Sequence, residues 1–182
     1  MRADFKNIDT ALIARSMEGD RLAQNRLYKR YSRSMFNICY RMTNSYDDAE
    51  DVLQEAFISA FKNLRSYKGN ATFGAWLKRI VINKAVNLLK KKQIKFVAMT
   101  ADIPEYPEPD LTEDALNINR IKQAVKQLPD GYRIVFSLYL IEGYDHSEIA
   151  EILGISASTS KSQFNRSKKK LKQILQQEVI YG

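Results

Sequence analysis

The fold of the C-terminal part of this chain is decided by the stretch Ser147-Glu-Ile-Ala-Glu-Ile-Leu-Gly-Ile-Ser-Ala-Ser-Thr-Ser-Lys-Ser-Gln-Phe-Asn-Arg166. It contains two helical patterns separated by Gly154, a residue that readily takes the left-handed backbone of a tight turn. Ile149 and Leu153 give the first helix an apolar side. The spacing predicts a helix-turn-helix motif in which Gly154 makes the turn.

The second helix of this motif has a polar, basic side. Phe164 and Leu171 mark its inner side, and Ser156 or Ser158 can cap its N-terminus. Residues 157–182 carry six basic side chains and one acidic side chain, a net charge of +5. The polar groups expected to face a DNA major groove are Lys161, Ser162, Gln163, Asn165, Arg166 and Lys169. The alternative interpretation is a helical hairpin with a basic exterior.

A second candidate nucleic-acid surface lies on the helix predicted for residues 73–92. Its apolar positions are Phe73, Leu77, Ile80, Val81 and Leu88. A different side carries Trp76, Arg79, Asn83, Asn87 and Lys90, at spacings of three and four residues. Cations neutralise phosphates, amides read base edges and aromatic rings stack on unpaired bases, and the preceding loop adds Tyr67 and Lys68. Alternatively, the tryptophan covers the core and the lysines at the helix end are merely solvated.

An acidic face interrupts this basic half of the chain. The helix predicted for residues 49–64 has an unbroken apolar stripe, and Ser45 suits its N-cap. Beside that stripe lie Asp48, Asp51 and Glu55. Carboxylates at helical spacing diverge, and the stretch lacks the glycine-containing loop of a calcium-binding EF-hand. We therefore expect either a docking face for a basic protein surface or a solvated face that complements the helix dipole.

The charge of the chain, +8 over 182 residues, divides into three segments of different sign. Residues 1–95 carry +10 and residues 116–182 carry +4, whereas residues 96–115 carry −6. The acidic segment also holds three of the four prolines, which disfavour helix. Because like charges repel, we expect it to be a flexible, extended linker. The predicted fold is therefore all-α, with two helical domains at residues 1–95 and 116–182, of which the second is a helix-turn-helix.

Several classes of protein are disfavoured by what the sequence lacks. Cys39 and His146 are the single cysteine and the single histidine, so neither an intramolecular disulfide nor a zinc site built on thiolates can form. The longest nearly apolar run, residues 134–141, is far short of a membrane span, and the charged N-terminus is not typical of a secretory signal. Dinucleotide, phosphate-loop and metalloprotease motifs are absent. We expect a cytoplasmic, non-enzymatic protein with no membrane insertion and without cofactor or metal.

The order of a basic helical domain, an acidic tether and a C-terminal helix-turn-helix resembles the extracytoplasmic-function (ECF) sigma factors of bacterial RNA polymerase. Asp47-Asp-Ala-Glu-Asp-Val-Leu-Gln-Glu-Ala-Phe57 looks like the family's region that docks on the polymerase clamp. Phe73-Gly-Ala-Trp-Leu-Lys-Arg-Ile-Val-Ile-Asn83 is similar to its segment for promoter melting and minus-ten recognition, and the preceding loop of the family holds a flipped-out base. The resemblance implies polymerase contacts at Asp48, Asp51, Gln54 and Glu55. It implies contacts to the minus-ten DNA at Tyr67, Asn70 and Asn83.

The C-terminal half is similar to the family's minus-thirty-five reader. The likeness rests on Leu128-Pro-Asp-Gly-Tyr-Arg133, on Glu148-Ile-Ala150 and on the turn Thr159-Ser-Lys-Ser162, so Thr159 joins the expected DNA contacts. The sequence departs from the family's common Gly-Thr-Val-Lys-Ser-Arg pattern at Ser158, Ser160 and Gln163. Ser160 stands where many such motifs have a branched apolar residue. These departures bear on base preference more than on fold.

The resemblance implies an alternative sigma factor that binds core RNA polymerase, at the clamp of its largest subunit and at the flap, and directs transcription initiation at promoter DNA. It also implies an anti-sigma factor as an inhibitory partner. Two other classes stay open from the residues alone. One is a helix-turn-helix transcriptional regulator that acts without polymerase. The other is a nuclease that holds a metal ion with Asp48, Asp51 and Glu55.

Overall fold

The computed structural model describes residues 2–92 and 118–181, with side chains described for residues 9–92 and 118–177. The chain divides into two compact units, Met1–Lys91 and Lys92–Gly182, each with its own core. All regular elements of the described residues are helical, which confirms the predicted all-α class. The acidic segment 96–115, predicted to be a linker, lies outside the described residues.

The first unit consists of four α-helices and one short helical turn. They are α1 (Arg2–Met17), α2 (Arg21–Thr43), α3 (Tyr46–Lys62), a 3₁₀ turn (Leu64–Ser66) and α4 (Phe73–Lys91). Helices α2, α3 and α4 pack against one another, and α1 packs against α2. The long α2 therefore forms the centre of the unit.

Side-chain caps set the boundaries of these helices. Asp20 precedes α2, and its carboxylate accepts hydrogen bonds from two backbone N–H groups of the first turn. Asn44 ends α2 in the left-handed conformation, at φ 55°, which an asparagine tolerates better than most residues. Ser45 then caps α3, as predicted, and its Oγ accepts from the N–H of Asp48 at 3.3 Å. The α2–α3 connection is thus a tight turn of two residues.

The core of the first unit is formed by one apolar side of each helix. Its fully buried side chains include Leu27, Ile38, Met42, Val52, Phe57, Leu77, Val81 and Ile82. The stripe predicted on α3 is buried almost throughout. One detail of the prediction was wrong: on α4 the neighbouring Ile82 and Leu89 are buried while Ile80 and Leu88 are only half-buried. On α2, Leu22 is 71% exposed, on the side away from the core.

The second unit is built around its last and longest helix. Its elements are α5 (Ile118–Lys126), α6 (Asp130–Phe136), a π-helical turn (Ser137–Ile141), α7 (His146–Leu153) and α8 (Ala157–Tyr181). Helices α5, α6 and α7 all pack against α8. Both helices of the predicted helix-turn-helix are therefore present, as α7 and α8.

The turn of this motif follows the sequence signals closely. Asp145 and Glu148 form a reciprocal capping box at the start of α7. Gly154 ends α7 in the left-handed conformation, at φ 71° and ψ 40°, where a residue with Cβ is strained. Ser156 caps α8, because its Oγ accepts from the N–H of Thr159 at 3.0 Å. Of the two serines that the sequence offered, Ser156 is the cap.

A buried arginine lies at the centre of the second unit. Arg133, on α6, is 2% exposed. Its Nη2 lies 2.7 Å from Oδ1 of Asp130, and its Nη1 donates to the carbonyl of Leu128 at 3.3 Å. A buried guanidinium needs such partners, because its desolvation is costly. Arg133 thus ties the start of α6 to the α5–α6 turn.

We expect Arg133→Ala to destabilise the second unit by about 2–4 kcal/mol, since it leaves a carbonyl without its donor and a cavity where the side chain packed. Chemical denaturation followed by circular dichroism measures the change. Lys122→Ala, which removes an exposed cation from α5, is the matched control, and its effect should stay within about 0.5 kcal/mol. Equal unfolding midpoints for the two variants would contradict this role of Arg133.

Candidate nucleic-acid interfaces and docking face

The first candidate interface is the outward side of α4. Thr72 precedes this helix, and its Oγ1 accepts from the N–H of Ala75 at 3.2 Å. The predicted polar stripe follows the opposite side from the buried Leu77 and Val81. Its exposed members are Arg79, Asn83, Asn87 and Lys90, and Trp76 at its start is half-buried. The stripe therefore offers two cations and two amides to solvent on one helix face.

An aromatic cluster anchors the loop in front of α4. The ring of Tyr67 lies 5.7 Å from that of Phe73 and 5.4 Å from that of Trp76. The Tyr67 hydroxyl donates to the carbonyl of Ala71 at 2.7 Å, which closes the loop on itself. Gly69 in this loop has φ +75°, which favours glycine. Trp76 is half-buried, so part of its ring packs in this cluster and part stays accessible.

The sequence alone did not reveal which residues of α1 and α2 pack against this cluster. Tyr31 of α2 packs its ring edge against Phe73 at 5.2 Å, and its hydroxyl donates to Asp9 of α1 at 2.5 Å. Arg30 pairs with the same carboxylate at 3.2 Å. Burial, followed by the contact with Asp9, raises the pKa of Tyr31 well above its usual range. A Cβ on Gly74 would lie 3.0 Å from this ring, so any other residue there would require the ring to shift by a few tenths of an ångström.

The exposed tip of the loop carries the other two residues expected to contact unpaired DNA. Lys68 and Asn70 are both exposed. Tyr67 is half-buried, so one part of its ring stays accessible beside Trp76. A rigid aromatic pair next to a cation and an amide is suited to an unstacked base and its phosphate.

The acidic face of α3 is solvent-exposed. Asp51, Gln54 and Glu55 are exposed, and Asp48 in the first turn is half-buried. Glu55 lies 3.7 Å from the Nζ of Lys84 on α4, a weak ion pair at the edge of the face. Within the residues whose side chains are described, no three His, Cys, Asp or Glu groups come together as a metal site would require. The carboxylates of this face therefore do not converge on one ion, and the interpretation as a metal-dependent nuclease is not supported.

The second candidate interface is the outward side of α8. Lys161, Ser162, Asn165 and Lys169 are exposed on it, while Thr159 and Arg166 are half-buried. The hydroxyl of Thr159 lies 2.8 Å from that of Ser156, within the cap of the helix. One guanidinium nitrogen of Arg166, Nη1, is buried, so only part of this side chain faces outward. Lys161 and Asn165 stand one turn apart, and both are exposed.

Gln163 is a correction to the predicted interface. It is 2% exposed, between Ser160 and Ser167 on the side of α8 that faces the core. Residues three and four positions apart share one side of a helix, so Gln163 belongs with these buried serines and not with Lys161. The prediction that it faces a major groove was wrong, because a polar side chain at this position looked like a surface residue in the sequence.

Ser160, the unusual residue of the motif, has a specific partner. It is buried, and its Oγ lies 2.9 Å from Nδ1 of His146 at the start of α7. The imidazole stacks on Tyr139 with ring centroids 4.4 Å apart and planes 12° apart, and it lies 5.9 Å from Phe164. Burial, followed by the charge of Lys161, lowers the pKa of His146. We call this arrangement of His146, Ser160 and Tyr139 the histidine lock, since it joins α7 to α8.

No helix in the described parts of the chain has the length and apolar character needed to cross a membrane. The described residues form two all-helical units, one with a basic-aromatic face beside an acidic helix and one with a helix-turn-helix.

Comparisons with known proteins identify the family. Residues 27–94 match Sigma-70 region 2, and residues 118–171 match Sigma-70, region 4. ECF RNA polymerase sigma factor SigW of Bacillus subtilis is 34% identical over 171 residues, covering 87% of this chain and 91% of that protein. ECF RNA polymerase sigma factor SigM of Mycobacterium tuberculosis H37Rv is 29% identical over 167 residues, covering 92% and 84%. The chain belongs to the ECF RNA polymerase sigma factors.

Solved structures share the fold at lower sequence identity. CnrH, solved in complex with the cytosolic domain of CnrY, gives a TM-score of 0.54 at 24% identity, covering 93% of this chain and 97% of that one. The sigma factor RpoE, solved in complex with the anti-sigma factor NepR from Bartonella quintana, gives 0.55 at 20% identity, covering 84% and 96%. These likenesses support the all-helical fold.

The histidine lock predicts a pH-dependent stability of the second unit. Because the folded protein holds His146 below its ordinary pKa of 6.5, the unfolded chain binds the proton more readily. The stabilisation is complete above the unfolded value and is lost as the pH falls through the lowered pKa. Urea unfolding at about pH 7.5 and about pH 5.5 should therefore show a larger loss for the native chain than for His146→Gln.

The same comparison controls for effects of acidification that do not involve His146. Asp145 and Lys161, whose charges act on the imidazole, are present in both proteins, as are all other groups of the chain. An equal loss of stability on acidification in both proteins would show that His146 does not carry the effect.

Proposed function

We propose that this chain is an alternative sigma factor that binds core RNA polymerase and directs promoter recognition and transcription initiation. The observation that carries the proposal is the 34% identity to a sigma factor that the chain matches over 91% of its length. The two family matches, region 2 followed by region 4, occur in the order that such a protein requires. It acts in the cytoplasm, where promoter DNA is, and no covalent step is assigned to it.

The outward side of α4 and the preceding loop are proposed to open and read the minus-ten element. Its candidate contacts are Tyr67, Lys68, Asn70, Trp76, Arg79, Asn83, Asn87 and Lys90. Extracting a base from the stack costs a few kcal/mol, which binding to the aromatic pair and the neighbouring amides must offset. The cluster of Tyr67 on Phe73 supports this role, because a preorganised pocket does not spend binding energy on ordering itself.

The outward side of α8 is proposed to read the minus-thirty-five element as a duplex. Lys161, Ser162 and Asn165 are exposed near the start of the helix, which is the part of a recognition helix that contacts base edges. Thr159, Arg166 and Lys169 are proposed to contact the same element at its margins. Gln163 instead packs inside the unit.

The acidic face of α3 is proposed to dock on core polymerase. Its proposed contacts are Asp48, Asp51, Gln54 and Glu55. The three carboxylates fit a basic partner surface by charge and would repel phosphate. Following the family resemblance, we assign that surface to the clamp of the largest subunit and assign the flap as a second contact, for the helix-turn-helix unit. An anti-sigma factor is the proposed inhibitor, as the Bartonella quintana relative was solved with one.

Run-off transcription with purified core polymerase tests the proposal directly. We expect a promoter-dependent transcript when the purified chain and core polymerase meet a template that carries the promoter region of its own operon. Core polymerase alone is the control. Tight, specific duplex binding by the free protein, with no transcript in the presence of core polymerase, would instead identify a regulator that acts without polymerase.

Two substitutions separate the two DNA-binding roles. Lys161→Ala should weaken binding of promoter duplex by about 1–3 kcal/mol if a base contact is lost, or reduce the salt slope by about 1 if a phosphate contact is lost. Asn83→Ala should impair strand opening, read by permanganate footprinting, and leave duplex binding nearly unchanged. Identical failure of both variants at the duplex-binding step would contradict this division of labour.

A further inference from the structure

An apolar residue extends the acidic face of α3 toward the C-terminal end of the helix. Ile58 is 55% exposed, although the α3 side chains of Phe57, one position before it, and Ala60, two positions after it, are buried. An isolated apolar residue on a surface is ordinary. Ile58 is not isolated, because it lies on the same side of α3 as Asp51, Gln54 and Glu55 of the proposed docking face.

Helical spacing places Ile58 beside these polar residues. It follows Glu55 by three positions, Gln54 by four and Asp51 by seven, and residues at these spacings stack on one side of a helix. All three are exposed, so the side they share is the outward one. At 1.5 Å per residue, the patch from Asp51 to Ile58 is roughly 10 Å long. Lys62, one turn further along α3, places a positive charge at the end of this patch.

The charge around Ile58 indicates what kind of surface covers it. Asp51 and Glu55 precede Ile58 on the same side of α3. The ion pair of Glu55 with Lys84 is long, at 3.7 Å, and accessible to solvent. These carboxylates are thus available to a partner and would repel DNA. Along this side of α3, Ile58 lies between Glu55 and Lys62. Protein interfaces commonly place apolar residues, which supply most of the binding energy, next to charged residues, which steer approach.

We propose that Ile58 is the apolar anchor of core-polymerase docking: it inserts into an apolar depression within a basic surface of core RNA polymerase, while Asp51 and Glu55 steer the approach. The inference rests on the proposed function and adds a residue that the sequence did not single out. It divides the face into a steering part, sensitive to salt, and an anchoring part, insensitive to salt.

The test measures binding of the full chain to core polymerase by surface plasmon resonance at several salt concentrations. We expect Ile58→Ala to weaken binding about five- to thirty-fold, mainly through faster dissociation, with the salt dependence unchanged. The paired variant Asp51→Asn with Glu55→Gln should slow association and flatten the salt dependence. Ile58→Leu, which keeps the apolar volume, should bind nearly as the native chain does.

Leu22→Ala is the matched control, because Leu22 is another exposed aliphatic residue of the same unit, on α2. It should bind as the native chain does, and neither alanine variant should shift the thermal midpoint, since both side chains are exposed. If the native chain binds core polymerase and Ile58→Ala binds as Leu22→Ala does, the anchor is wrong. If the native chain itself does not bind, the proposed function fails. A salt dependence that changes with Ile58→Ala would also overturn the inference.

Discussion

Burial of the apolar side of each described helix fixes how that helix is rotated, and the candidate partner surfaces on α3, α4 and α8 are the sides that remain exposed. On α4, burial of Leu77 and Val81 turns Asn83 and Asn87 outward. On α3, burial of Val52 and Phe57 leaves the acidic face exposed. The side chains proposed to bind partners need no separate device to orient them, because the hydrophobic effect orients the helices that carry them.

Hydrogen bonds between polar groups within each unit fix the position of one helix relative to its neighbour. In the first unit, the hydroxyl of Tyr31 on Asp9 holds α1 and α2 together beneath the aromatic cluster. In the second, the contact of Ser160 with His146 sets α7 against α8. A buried polar pair has one good geometry, whereas apolar contacts tolerate sliding. The positions of the loop before α4 and of the α8 face therefore depend on hydrogen bonds within the cores.

The faces of this protein differ in charge, so they suit different partners. The total of +8 hides an acidic face on α3 within the most basic segment of the sequence. Basic faces on α4 and α8 are suited to DNA by counterion release, and the acidic face is unsuited to it. A protein that binds both a polymerase and a promoter needs such a separation, because one uniform surface charge would bring both partners to the same site.

Much of this protein follows from the sequence by itself. The periodicity of α3 and α4, the cap at Ser45, the turn at Gly154 and the stripe from Arg79 to Lys90 are local features, so short-range patterns reveal them. The tertiary structure alone decided four others: the burial of Gln163, the pairing of Ser160 with His146, the support of the loop by Tyr31 and Asp9, and the exposure of Ile58. The physical reason is that these depend on which residues of distant segments meet. A residue type does not state whether its side chain points toward another helix or toward solvent, and only packing settles that choice.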